Sequence, residues 1–240
     1  MKRKNTYLLI TLLCSAILSG CGLLPNRGEK DAPDPAQTQG EDIKLEANDW
    51  TNIWVENANQ NDLPRILFVG DSILDGYYSR VIEDLTDQYY PARYTTSKFI
   101  SNPDFQDELA LLLNRYDFSI ILLNNGLHGW DYSISEYRAG LEEMLTTLAE
   151  YAPEASLVWC QTTPVRLEEN LDALDPLNRE VIRRNQTAAD VMAENGVLVL
   201  DLYQAMLPYP QYYKTDGIHF KDSGRDVQAD LVSSFLLSLP

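Results

Sequence analysis

Leu67-Phe68-Val69-Gly70-Asp71-Ser72-Ile73 decides how this chain is read. An apolar run of strand length ends at a glycine, which relieves a tight turn, and the turn delivers a serine where the chain should pass into a helix. A hydroxyl at the carboxyl end of a strand faces a crevice, and the amides of the following helix start can help to hold an oxyanion. From Arg65 onward, short apolar or β-branched runs alternate with longer amphipathic ones, which argues for crossover helices and a mostly parallel sheet. The expected strands cover 65–69, 93–96, 118–123, 156–161 and 197–202, and the expected helices 79–88, 105–114, 135–151, 178–194 and 223–237. Tyr137, Leu141, Met144, Leu145 and Leu148 recur at helical spacing and mark the buried face of the third helix. The sum is an α/β fold, a three-layer α/β/α sandwich on a five-stranded parallel sheet. In such sheets function gathers at the carboxyl ends of the strands, so the loops that matter begin at Gly70, Asn124, Thr162 and Tyr203. Residues 48–61, with Trp50 and Trp54, read as an irregular lead-in.

At 240 residues the chain has length for one sizeable domain once a targeting segment and a tail are set aside. Its net charge of -17 repels phosphate backbones and argues against a nucleic-acid partner. Lys2, Arg3 and Lys4 precede an apolar run over 7–18, the charge-then-hydrophobe order of an export signal and too short for an ordinary spanning helix. The run ends in Leu18-Ser19-Gly20-Cys21, which resembles the lipobox of bacterial lipoproteins. That resemblance implies cleavage after residue 20, diacylation of Cys21 and a membrane contact made through the N-terminal lipid alone. An uncleaved signal anchor and a plain secretory signal are the alternatives. Residues 21–47 then form a tether, rich in Pro, Gln, Asp and Gly, that leads into a domain over 48–240. After such processing Cys160 is the one cysteine left, so no internal disulfide can form, and its apolar neighbours Leu157, Val158 and Trp159 suit a buried thiol. With one cysteine and two histidines, a zinc site of the Cys/His kind lacks a ligand set.

A serine needs a base, and His128 and His219 are the only histidines. His219 stands in Asp216-Gly217-Ile218-His219-Phe220, just before the last helix, where a carboxylate three residues away can orient the imidazole. Each short motif also suits a plain turn; their order and separation are the signal. Gly70-Asp71-Ser72 at the first strand with Asp-x-x-His before the last helix resembles blocks I and V of the SGNH, or GDSL-like, hydrolases. The resemblance spans residues 65–240. It implies a flavodoxin-like fold, Ser72 as nucleophile, His219 as base and Asp216 as its orienter. It also implies an oxyanion held by the Ser72 amide and an asparagine amide.

The oxyanion blocks depart from the family pattern. No glycine occurs between Gly76 and Gly126, so block II lacks its usual residue and Ser97 or Ser101 is left to occupy that loop. Block III is replaced by Leu123-Asn124-Asn125-Gly126-Leu127-His128-Gly129, which resembles a divergent branch and points to Asn124 first and Asn125 second. The expected substrate-facing residues are Asp71, Gly126, His128, Thr163 and Arg166, although Asp71 equally suits holding its loop and Thr163 and Arg166 a strand end.

These readings converge on a serine esterase that forms an acyl-enzyme on Ser72, with no metal or organic cofactor. The expected substrate is a short-chain ester on an extracellular carbohydrate, O-acetylated for preference, at the cell envelope. Two alternatives stay open: an acyltransferase with the same triad, and a non-catalytic lipoprotein that binds a saccharide. The sequence assigns no oligomeric state. The catalytic reading stands only if the Ser72 and His219 side chains meet within about 6 Å, the outer reach of a proton transfer.

Overall fold

The computed structural model describes residues 43–239. The expected signal over 1–20, Cys21 and most of the expected tether lie outside the described residues. The elements run β1 (Thr51–Val55), β2 (Arg65–Gly70), α1 (Ser72–Leu85), β3 (Tyr90–Thr96), α2 (Pro103–Leu113), β4 (Ile120–Leu123), α3 (Ile134–Tyr151), β5 (Ser156–Cys160), β6 (Arg166–Leu167), β7 (Asn170–Leu174), α4 (Asn178–Glu194), β8 (Leu198–Leu200), α5 (Leu202–Met206) and α6 (Asp222–Leu237). A short 3-10 turn, Pro210–Tyr212, precedes the last loop.

The main sheet has the order β1-β3-β2-β4-β5-β8. All its pairs are parallel except β1 with β3. Pleating sends alternate side chains to opposite faces. Ile66 and Phe68 of β2, Ile120 and Leu122 of β4 and Val158 and Cys160 of β5 pack with α1 and α6. Leu67, Val69, Ile121, Leu123 and Trp159 point the other way, into the layer of α2, α3 and α4. A strand buried on both faces needs an unbroken apolar run, which is why these strands read as continuous hydrophobes. The three-layer α/β/α architecture is therefore the observed one.

Four local expectations change. The sheet has six strands rather than five, because the stretch read as irregular lead-in contributes β1. This antiparallel edge strand has its side chains exposed through Trp54, so no burial pattern announced it. The helix expected over 79–88 starts at Ser72 and ends at Leu85, with Asp71 as its N-cap, its side chain accepting from the Ile73 N–H. Gly76 sits inside that helix, where a Cβ would stand 3.3 Å from Arg225 Nε of α6. Lys44 and Glu46, at the end of the stretch read as tether, hydrogen-bond to the domain, so the domain begins a few residues before 48. Finally, β8 stops at Leu200 because Asp201 caps α5, accepting from the Gln204 N–H.

Candidate active site

Ser72 is the first residue of α1, and its N–H, like the other first-turn amides of a helix, has no intrahelical acceptor. The β2 strand and its cap aim the hydroxyl across the carboxyl rim of the sheet toward the loop before α6. That loop is pinched shut: Tyr213 bridges Phe220, the Lys214 N–H donates to His219 O at 2.7 Å and the Lys221 N–H to Tyr212 O at 2.8 Å. Gly217 turns the loop at φ 70°, with its carbonyl accepting from the Arg166 N–H at 2.9 Å.

Across the rim, Ser72 Oγ and His219 Nε2 are 2.9 Å apart, although the two residues lie 147 positions apart in sequence. His219 Nδ1 is 2.9 Å from Asp216 Oδ2, and Asp216 Oδ1 accepts from the N–H groups of Ile218 at 2.9 Å and His219 at 2.8 Å. Burial works against the Asp216 charge, but those backbone and imidazole hydrogen bonds outweigh it and hold the carboxyl below its usual range. The carboxylate thus fixes both the position of the imidazole and the tautomer with Nδ1 protonated, which leaves Nε2 free to accept from Ser72. His219 and Asp216 remain open to solvent, 38% and 45% exposed. Ser72, His219, Arg225 and Gln228 line a small cavity of about 10 Å³. Gln228 is fully buried and neither of its amide atoms has a protein partner.

Other expected residues are placed differently. Asn124 Nδ2 donates to Cys160 O at 2.7 Å and lies 3.3 Å from Thr162 Oγ1, so both amide hydrogens point toward the end of β5. Asn125 is committed to the loop after β3, its Nδ2 donating to Lys98 O at 2.9 Å and its Oδ1 accepting from the Ile100 N–H at 3.2 Å. Asn124 thus spends its amide hydrogens on the end of β5, and Asn125 ties the loop after β4 to the loop after β3. Ser97 gives its N–H to Trp50 O and Ser101 its hydroxyl to Glu136 O, so neither serves as the block II donor by those groups. Asp71 is buried as the α1 cap rather than facing substrate. Gly126 is buried against Thr162, whose Oγ1 would lie 2.3 Å from a Cβ. Thr163 is buried with its hydroxyl unpartnered. Arg166, also buried, donates to Leu171 O and Leu207 O and lies over the Tyr213 ring, so it pins the triad loop instead of meeting substrate. His128 keeps a partly exposed ring near Glu46. Cys160 is buried and burial pushes its thiol up to about 12, which makes it a packing residue.

Arg184 escaped the sequence reading. It is buried on α4 and bonds three carbonyls of the 126–129 loop. A signal existed: position 184 falls between Val181 and Ala188 on the buried face of the helix, where a cation requires a partner.

A doubly wound sheet carrying a hydroxyl, an imidazole and a carboxylate in hydrogen-bonded series at its carboxyl rim defines a carboxylic ester hydrolase of the serine type. The chain belongs to the GDSL-like lipase/acylhydrolase family, whose model matches residues 68–227. Its fold is similar to that of the acetyl xylan esterase AlAXEase, at 18% identity over 72% of this chain and 99% of that one, with a TM-score of 0.60. It is also similar to Axe2, an acetylxylan esterase from Geobacillus stearothermophilus (16% identity, 70% and 92% coverage, TM-score 0.56). A third likeness is to a GDSL-like lipase from Bacteroides thetaiotaomicron VPI-5482 (14% identity, 72% and 87% coverage, TM-score 0.56). No curated protein matches the chain by sequence.

Proposed function

We propose that this esterase removes a short acyl group, acetyl for preference, from an O-acylated carbohydrate at the bacterial cell envelope, through an acyl-enzyme on Ser72. The observation that carries the reading is the unbroken series from Ser72 Oγ to His219 Nε2 and from His219 Nδ1 to Asp216 Oδ2, 2.9 Å at each step. As Ser72 Oγ bonds to the ester carbonyl carbon, its proton passes to His219 Nε2. The imidazolium is stabilised by Asp216 and returns the proton to the leaving alcohol oxygen. Water, deprotonated by the same imidazole, then releases the carboxylic acid and restores the serine. The Ser72 N–H supplies one oxyanion donor, a contribution typically of about 3 kcal/mol in the transition state.

The similar structures support the substrate class, since they include acetyl xylan esterases. The larger cavities of about 510 and 440 Å³ among the described residues are lined by neither Ser72 nor His219. For location, the export-like N-terminus and Cys21 support a lipid-anchored enzyme held at the envelope. A fluorophosphonate probe, beside acetyl to octanoyl aryl esters and acetylated polysaccharides, tests the chemistry. Labelling and acetyl release should vanish in Ser72→Ala and His219→Ala, and a folded wild type that neither labels nor hydrolyses would sink the reading. Product analysis with and without a glycan acceptor separates hydrolysis from acyl transfer.

A further inference from the structure

The loop after β4 is gripped from both sides by charged groups that come from distant parts of the chain. On one side stands Arg184 of α4, 1% exposed. Its Nη1 donates to Gly126 O at 2.9 Å and His128 O at 2.6 Å, and its Nη2 to Gly129 O at 2.7 Å. The guanidinium lies over the rings of Phe99 at 4.6 Å and Trp130 at 4.5 Å while it bonds three carbonyls, a combination that suits a flat, forked cation and that lysine does not reproduce. On the other side Glu46 Oε1 accepts from the Gly129 N–H at 2.6 Å and stands 3.6 Å from His128 Nδ1.

These contacts share one peptide group. In a trans peptide the C=O of His128 and the N–H of Gly129 point in opposite directions, so Arg184 holds one end of that unit and Glu46 the other. Hydrogen bonds to charged groups are the stronger kind, and this unit has one at each end. The loop so fixed adjoins the nucleophile: the Asn124 N–H donates to Val69 O at 2.9 Å, and Asn124 walls the same small cavity as Ile73, the residue after Ser72.

We propose that Glu46 and Arg184 are positioning residues for ester cleavage at Ser72, clamping the His128–Gly129 peptide so that the loop beside the serine keeps its shape during turnover. The proposal rests on the serine-esterase reading above and adds to it two residues that lie outside the triad. Neither touches the reacting atoms; both act through the loop. Glu46 also lies in the stretch leading to the proposed anchor, so the clamp joins that segment to the catalytic centre.

The experiment measures probe labelling, kcat, KM and melting temperature for the wild type, Glu46→Gln, Glu46→Ala, Arg184→Lys and the Glu46→Ala/Arg184→Lys pair. Glu46→Gln keeps an acceptor for the Gly129 N–H without the charge and should retain most of the activity. Glu46→Ala should lower kcat about tenfold while KM moves less than about twofold, because loop misplacement costs the transition state more than the bound ester. Independent distant sites add in free energy, whereas two ends of one peptide do not. The pair should therefore lose no more than its worse member. Unchanged kcat in Glu46→Ala, or strictly additive losses in the pair, would overturn the clamp. Should Arg184→Lys fail to fold, the two partly exposed Glu46 variants still decide. A wild type that does not label removes the esterase reading itself, whereas a labelling, active wild type with an indifferent Glu46→Ala removes only this proposal.

Discussion

Gly217 shows how narrowly the catalytic loop is determined. Its φ of 70° is a conformation that glycine alone adopts freely, and a Cβ there would lie 2.0 Å from the Arg166 carbonyl that abuts the turn. Gly196, at φ 68°, has nothing within 4 Å of the same position, so the two glycines separate backbone strain from collision. Gly196→Ala should cost about 1 to 2 kcal/mol of stability and leave esterase activity intact. Gly217→Ala should cost about 2 to 4 kcal/mol and also cut kcat, because relief of the clash moves Asp216 and His219. Denaturant melts beside rate measurements check both, and equal behaviour of the two variants would contradict the argument. Asp216→Asn tests the carboxylate itself. Its loss should lower turnover by about three to four orders of magnitude while the melting temperature shifts little, since the imidazole would lose its required tautomer but the loop would keep its backbone bridge. Matching losses of activity and stability would refute the orienting role.

At the scale of elements, α3 carries a full capping box: Ser133 accepts from the Glu136 N–H and the Glu136 carboxylate accepts from the Ser133 N–H. Ser133→Ala should cost about 1 kcal/mol, read as a lower urea midpoint at constant slope. Hydrogen bonds from the Ser133 hydroxyl and N–H, joined by Lys44, hold the Glu136 carboxyl down at about 2. A carboxyl depressed on folding gives stability that is fully present above its unfolded value, about 4.3 for glutamate, and is lost as pH falls through the folded value. The lowered Asp216 carboxyl acts in the same direction from its own unfolded value near 3.9. Melting temperature should thus hold from neutrality to about pH 5 and drop toward about pH 2, and the drop should be shallower in Glu136→Gln. A curve that is flat over this range, or equally steep in the variant, would show that the box carries no charge-dependent stability.

The elements also show what a sequence discloses. The central strands were legible because burial on both faces demands apolar runs such as 66–69 and 120–123. The triad was legible because a chain with His128 and His219 alone leaves little choice of base, and the Asp-x-x-His spacing names one of them. Strand β1 was hidden because an exposed edge needs no hydrophobic pattern. The start of α1 was hidden because glycine at position 76 is a poor residue for a helix interior, and the Arg225 side chain that packs beside it from α6 lies 149 positions on in sequence. Asn124, Asn125 and Arg166 were visible as polar residues at strand ends, but a sequence does not show which hydrogen-bond partner such a residue has already taken. All three turn inward to satisfy carbonyls that the rim would otherwise leave bare.

For the whole molecule the governing quantity is charge. The chain carries -17, and removal of a signal containing Lys2, Arg3 and Lys4 would leave the mature protein more acidic still. Such a body is repelled by the anionic surface of a bilayer, within a screening length of about 10 Å at moderate salt. Electrostatics therefore offers no second membrane signal, and the proposed attachment rests on the acyl chains at Cys21 alone. Each buried methylene contributes about 0.8 kcal/mol, so two chains anchor firmly where one binds reversibly. The full-length protein expressed in a bacterium should consequently follow the membrane fraction, resist extraction by high salt and enter the detergent phase on partition. Cys21→Ser placed behind a signal that is cleaved without lipidation should appear in the aqueous phase with unchanged turnover of a soluble aryl acetate, because the triad is built wholly from residues beyond the tether. Its activity on a membrane-bound or wall-bound acetylated glycan should fall much further, since the anchor supplies local concentration rather than chemistry. If Cys21→Ser freed of its signal remained with the membrane, or wild type washed off in salt, attachment would have to come from elsewhere in the chain, and the lipid-anchor reading would be wrong.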